Sequence, residues 1–130
     1  MKRFIFAALL AVALPFTVVS GANAASLAGS WSGSGTIYPS SGKAEKARCR
    51  VSFSKVSESQ YRVNAKCAST SGKASQVATV RPVGKNKYSG NFYNKQHNTE
   101  GNVTITLKGN RQTISMTSSV GSATLSLRRK

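Results

Sequence analysis

The chain has 130 residues, with 19 lysines and arginines against three acidic residues and a net charge of +16 at pH 7. Two cysteines and one histidine are too few for a zinc site of ordinary ligand spacing, and one histidine with three glutamates leaves little for acid–base catalysis. We therefore expect no metal, no cofactor and no enzymatic activity, and the charge excess favours a polyanionic partner.

Residues 1–24 form a predicted signal peptide. A cationic start precedes an almost unbroken apolar run over residues 4–14, and Ala22-Asn23-Ala24 has the small-x-small pattern of a cleavage site. A permanent membrane anchor is the alternative, but it needs about 20 apolar residues. We expect cleavage after Ala24, a periplasmic or secreted location, and a single mature domain over residues 25–130 with no transmembrane segment.

The mature chain is patterned as antiparallel strands. Apolar residues alternate at period two, and clusters of Gly, Ser or Asn interrupt the pattern at short intervals. Connections this short join neighbouring strands as hairpins. The predicted strands are 29–38, 46–55, 60–69, 74–83, 87–94, 100–108, 111–119 and 122–129.

Eight strands in about 106 residues favour a small antiparallel up-and-down barrel, which leaves no exposed sheet edge. A two-sheet sandwich is the alternative, and it needs long crossovers for which the chain has no room. We expect the barrel interior to be filled by side chains. The predicted inward residues are Trp31, Ile37, Cys49, Val51, Phe53, Tyr61, Val63, Ala65, Cys67, Tyr88, Phe92, Val103, Ile105, Leu107, Ile114, Met116, Leu125 and Leu127.

Both cysteines lie in the predicted hairpin over residues 46–69. If this hairpin is centred on Glu58, Phe53 faces Val63 and Cys49 faces Cys67 on the inward side. An even cysteine count in an exported chain, without C-x-x-C spacing, favours a structural disulfide over a metal clip or a redox pair. Two free thiols remain the alternative if the protein never reaches an oxidising compartment.

The same register turns the neighbouring cations outward and places Arg50 opposite Lys66. Like charges that face each other destabilise a sheet, so this ribbon is either a solvated surface or a site for an anion that arginine can bind bidentately. The candidate anion-binding residues are Lys46, Arg48, Arg50, Arg62 and Lys66.

Register can also be predicted for the last three strands. A two-residue turn at Gly109-Asn110 pairs Ile105 with Ile114. A second turn at Val120-Gly121 then pairs Ile114 with Leu127 and Met116 with Leu125. One apolar face stays continuous across the three strands, and a slip of one residue would destroy it.

Several stretches resemble known protein groups. The segment "LAGSWSGSGTIY", with Gly-x-Trp in the first strand, is similar to the opening of lipocalin- and avidin-like barrels and of small bacterial metalloprotease inhibitors. Avidins line their site with several tryptophans, whereas Trp31 is the only one here, so no biotin site is implied. The stretches "GSWSGSGT", "ARCRVSFSK", "VNAKCAS" and "NKYSGNFYN" resemble small secreted proteobacterial proteins without an assigned activity.

The sequence thus predicts an exported, non-enzymatic barrel that binds surface glycan or lipid phosphate groups through its basic ribbon. A small-ligand carrier of the lipocalin or avidin type and an enzyme inhibitor are the alternatives, and nucleic acid is not excluded as a partner. A catalytic role would have to involve His97 and Glu100, whose stretch "NKQHNTEG" is more typical of a polar loop.

Overall fold

A computed structural model describes residues 26–95 and 98–130 as a closed barrel of eight antiparallel strands, each paired with its neighbours in chain order. The predicted signal peptide and His97 lie outside the described residues. Among the described residues we find no helix of the length and hydropathy needed to cross a membrane. The strands are β1 (Gly29–Pro39), β2 (Glu45–Ser57), β3 (Gln60–Ser69), β4 (Gly72–Gly84), β5 (Lys87–Asn94), β6 (Thr99–Lys108), β7 (Arg111–Ser118) and β8 (Gly121–Arg129).

Pairing of β1 with β8 closes the barrel. Their ladder runs from Trp31 opposite Arg129 to Pro39 opposite Gly121. A Cβ atom at Gly33 would overlap the carbonyl oxygen of Ser126 in β8. Glycine at this inward position therefore allows the two strands to approach closely enough to complete the sheet.

The predicted strands are confirmed, with each boundary within two residues of the observed one. The predicted β2–β3 register is also confirmed, since Phe53 faces Val63 and Cys49 faces Cys67. A bulge between Lys55 and Ser57 shifts the pairing by one residue beside the turn.

The predicted β6–β7 pairing is confirmed, but the β7–β8 pairing is wrong by two residues. Ile114 faces Leu125 rather than Leu127, because the turn residues are Ser119 and Val120. The hydroxyl group of Ser118 stabilises this turn by accepting a hydrogen bond from the Val120 amide. A two-residue shift keeps every side chain on the same face, so alternation alone could not distinguish the two registers.

One end of the barrel is filled, and we call it the packed end. It carries the β2–β3, β4–β5 and β6–β7 turns and is covered by residues 26–28. Trp31 and Leu27 are completely buried there, and the Trp31 indole Nε1 donates a hydrogen bond to the Leu27 carbonyl oxygen at 3.0 Å. Phe53 contacts Trp31 edge to face, with 6.4 Å between the ring centroids.

The predicted core is confirmed for most positions. Exceptions are Ile37, Ala65, Cys67 and Met116, which point inward but keep partial exposure. The prediction missed other buried residues, which are Leu27, Ala47, Val80, Asn94, Gln112 and Ala123. The expectation that side chains fill the whole interior is wrong, because the half of the barrel opposite the packed end holds a cavity.

Candidate functional site

A cavity of about 530 Å³ occupies the end of the barrel that carries the β1–β2, β3–β4, β5–β6 and β7–β8 connections. We call this the open end, because the rim of the cavity is formed by exposed residues of these connections, including Ser41 and Ser71. Most of the wall is apolar. Its larger apolar side chains are Ile37, Phe92, Met116 and Leu125.

The cavity exists because alanine occupies inward positions near the open end. Ala47, Ala74 and Ala123 line the space on three different strands. An eight-stranded barrel is just wide enough to be filled by larger side chains, so small ones leave room for a ligand. Alanine at inward register positions was therefore the sequence signal for a cavity, and the prediction of a filled interior overlooked it.

The predicted disulfide is present and lies in the cavity wall. Cys49 and Cys67 are bonded to each other, with their Cα atoms 4.1 Å apart, and both residues line the cavity. In the chain-entropy model a cross-link that closes a loop of this length stabilises the fold by about 3 kcal/mol. The bond thus joins β2 to β3 at the open end, where the interior offers little packing.

At the rim, Glu45 joins the start of β2 to the β3–β4 turn. Its carboxylate accepts hydrogen bonds from the Ser71 hydroxyl group, the Ser71 amide and the Thr70 hydroxyl group. The Ser71 hydroxyl bond is the largest of the effects that hold the pKa of Glu45 below its ordinary value. Glu45 therefore stays charged at neutral pH and holds one side of the cavity mouth in place.

Polar side chains interrupt the apolar wall at a few points. Asn94 on β5 is only 4% exposed, and Gln76 on β4 and Thr99 on β6 lie in the same cavity. Lys73 lies at the rim. A largely apolar cavity with a few polar groups is the usual composition of a small-molecule site, because the polar groups determine the orientation of the ligand.

The predicted anion-binding residues all lie exposed on the outer surface, but not close together. Arg50 directly faces Lys66 across β2 and β3. Lys46 is four residues from Arg50 along β2, which corresponds to about 13 Å. Arg62 faces Ser54, which is as far from Arg50 in the other direction. These cations therefore form an extended surface and cannot all bind one phosphate group.

Residues suited to metal binding are not grouped in the part of the chain that the structure describes. Among residues 26–95 and 98–130 no three His, Cys, Asp or Glu side chains lie close enough to hold an ion. Glu100 lies on β6 opposite Tyr93.

No protein-family model matches the chain, and no curated protein matches it. Solved structures with a similar fold include EF1p2_mFAP2b bound to DFHBI, with a TM-score of 0.70 and 12% identity over 80% of this chain and 94% of that one. The redesigned β-barrel mFAP1 bound to DFHBI has a TM-score of 0.67 and 18% identity, over 79% of this chain and 94% of that one. A fluorescence-activating β-barrel designed de novo has a TM-score of 0.63 and 14% identity, over 80% of this chain and 94% of that one. The chain therefore has the closed antiparallel barrel fold of these proteins.

Proposed function

We propose that the protein binds a small, largely apolar molecule in the cavity at the open end. The observation that carries this proposal is the cavity itself, whose volume of about 530 Å³ is in the range of about 300–1,000 Å³ typical of ligand sites. The packed end, with Trp31 and Leu27, closes the barrel on one side of the cavity, and short connections between strands surround the opening on the other side.

The chemistry of the wall defines the class of ligand. Phe92 and Met116, with the disulfide, offer polarisable apolar surface that suits an aromatic or other unsaturated ring system. Gln76 can exchange hydrogen bonds with one polar group on the ligand. Two similar barrels, EF1p2_mFAP2b and mFAP1, are described as bound to DFHBI. These two barrels therefore support a ligand-binding role for this fold.

Binding of the uncharged dye N-phenyl-1-naphthylamine tests the proposal, because its fluorescence rises in apolar surroundings and it has no charge to attract the basic surface. Ala47→Leu narrows the cavity and should raise the Kd of the dye, measured by fluorescence titration, at least about tenfold, the effect of about 1.4 kcal/mol. Ala68→Leu, on the exposed side of β3, adds the same volume outside and should leave binding unchanged. Equal binding by both variants, or no binding by the parent protein, would overturn the proposal.

A second candidate function is the binding of a polyanion, such as an acidic surface glycan or lipid phosphate, to the outer surface. It is favoured by the 17 lysines and arginines against three glutamates in residues 25–130, and by the exposure of all five predicted cations. Binding to immobilised acidic glycan should weaken steeply with salt. The triple variant Arg48→Ser, Arg50→Ser, Lys66→Ser should lose most of this binding, and unaltered binding would contradict the assignment.

We further infer that the protein acts outside the reducing cytosol. The Cys49–Cys67 bond supports this, since structural disulfides persist mainly in secreted and periplasmic proteins. Mass spectrometry of the protein from its native cell envelope or medium should find a mature chain that begins at residue 25. An intact residue 1 in a cytosolic fraction would contradict both export and cleavage.

A further inference from the structure

Barrel closure aligns basic residues from strands that are distant in the sequence. Arg50 of β2 faces Lys66 on one side and Ser32 of β1 on the other. Ser32 faces Arg128 of β8, and Arg128 faces Arg111 of β7. Arg111 in turn faces Lys108 of β6. We call this line the cationic row, and its members in order around the barrel are Lys66, Arg50, Ser32, Arg128, Arg111 and Lys108.

All five cations of the row are exposed, and none of the three glutamates occupies a position in it. Glu45 accepts hydrogen bonds at the rim of the cavity, and Glu58 forms a salt bridge with Lys55 at the packed end. The row contains three directly opposed pairs of like charge. Such pairs destabilise a sheet, and a bound anion would relieve their repulsion.

A groove lies along the second half of the row, which runs from Arg128 to Lys108. It has a volume of about 560 Å³ and is lined by Lys108, Arg111 and Arg128. The lining also includes residues with hydroxyl groups, which are Ser32, Ser34, Thr106, Thr113 and Ser126. Guanidinium groups bind sulfate, phosphate or carboxylate bidentately, and hydroxyl groups can donate further hydrogen bonds to such anions. The groove therefore has the donors that an anionic group needs.

The length of the row indicates the shape of the ligand. Neighbouring strands are about 4.8 Å apart, so five steps from Lys66 to Lys108 cover about 24 Å around the barrel. A single phosphate or sulfate group would occupy only a small part of this length. Several anionic groups joined in a flexible chain could contact all five cations at once.

We propose that the cationic row binds a linear acidic polysaccharide. The polysaccharide lies across the strands and follows the barrel from β3 over β2, β1, β8 and β7 to β6. This inference rests on the second proposed function, polyanion binding, and is independent of the cavity. Proteins that bind single-stranded nucleic acid stack bases on aromatic side chains. The cationic row contains no aromatic side chain, and the exposed tyrosines Tyr38 and Tyr93 lie outside it. Its hydroxyl and cationic groups suit a ligand without bases.

The test uses the purified full chain and fluorescein-labelled dextran sulfate, with neutral dextran as the uncharged probe and fluorescence anisotropy at two salt concentrations as the readout. The variant Arg111→Ser, Arg128→Ser removes two charges from the half of the row outside the predicted ribbon. It should weaken binding about tenfold or more and reduce the salt dependence, because fewer counterions are displaced. Neutral dextran should not bind.

The matched control Lys43→Ser, Lys85→Ser removes two exposed charges outside the row and should weaken binding by no more than about threefold. If both double variants weaken binding equally, the row is wrong while polyanion binding stands. The same conclusion follows if only the triple variant of Arg48, Arg50 and Lys66 loses affinity.

If the parent protein does not bind dextran sulfate, polyanion binding itself is wrong. Tighter binding to a dT20 oligonucleotide would overturn the choice of polysaccharide in favour of nucleic acid.

Discussion

Arg129, the last residue of β8, lies over the indole ring of Trp31 with its guanidinium carbon 4.3 Å from the ring centroid. Its two terminal nitrogens donate hydrogen bonds to the carbonyl oxygens of Ala28, at 3.0 Å, and Ser26, at 2.6 Å. One side chain thus joins the end of the last strand, the first strand and the segment that covers the packed end. This contact depends on barrel closure, because the two residues are 98 positions apart and meet in the β1–β8 ladder.

We expect Arg129→Ala to lower the free energy of unfolding by about 2 kcal/mol, since it removes a cation–π contact and two charge-assisted hydrogen bonds. Arg128→Ala is the matched control, because Arg128 is exposed on the outer face of the same strand. It should change stability by less than about 0.5 kcal/mol. Urea unfolding followed by Trp31 fluorescence measures both, and identical midpoints would contradict the role of Arg129.

Loss of the disulfide should lower the stability of the fold. Cys49→Ala together with Cys67→Ala should lower the free energy of unfolding by about 3 kcal/mol in the chain-entropy model. A reductant should lower the unfolding midpoint of the parent protein to nearly that of the double variant. It should leave the double variant itself unchanged. A parent protein insensitive to reductant would contradict the stabilising role of the bond.

Glu45 should titrate below its ordinary pKa of 4.5, mainly because it accepts the Ser71 hydroxyl hydrogen bond. A lowered pKa in the folded state means that the carboxylate favours folding above its unfolded pKa. This contribution is lost as the pH falls through the folded pKa, on the acid side of 4.5. NMR titration of the Glu45 side chain measures the value directly.

Ser71→Ala should raise the pKa of Glu45 toward 4.5, whereas Ser59→Ala, in the β2–β3 turn at the packed end, should not change it. An unchanged pKa in Ser71→Ala would show that this hydroxyl group does not hold the carboxylate.

Gln112 should be replaceable by an apolar residue with a gain in stability. It is 2% exposed at the packed end, and neither polar atom of its amide has a hydrogen-bond partner among the described residues. A buried amide without partners loses its hydration without compensation, so Gln112→Met, of similar shape, should raise the free energy of unfolding by about 1 kcal/mol. Thermal unfolding measures the change, and a lower melting temperature would indicate a partner for the amide.

Local features of the sequence were sufficient to predict the strands and two of their registers. In β2 and β3 the short turn and the alternation of apolar residues left one pairing that placed both cysteines inward, and this pairing is observed. The β7–β8 register could not be predicted from these local features. Shifts by two residues preserve the inward face, so alternation does not distinguish the observed pairing from the predicted one, whereas the observed turn is stabilised by contacts of Ser118.

The Cys49–Cys67 disulfide and the outward direction of Arg50 and Lys66 could be predicted from the sequence, because both depend on alternation within one hairpin. The eight alternating segments with short connections likewise indicated the eight-stranded barrel. The location of the cavity could not be predicted from the sequence, since its volume depends on which small residues from different strands, such as Ala47 and Ala123, face the same space. Nor could the row in which Arg50 and Arg128 flank Ser32 be predicted. That arrangement arises when β1 pairs with β8, and the register of chain ends so distant is not contained in any local pattern.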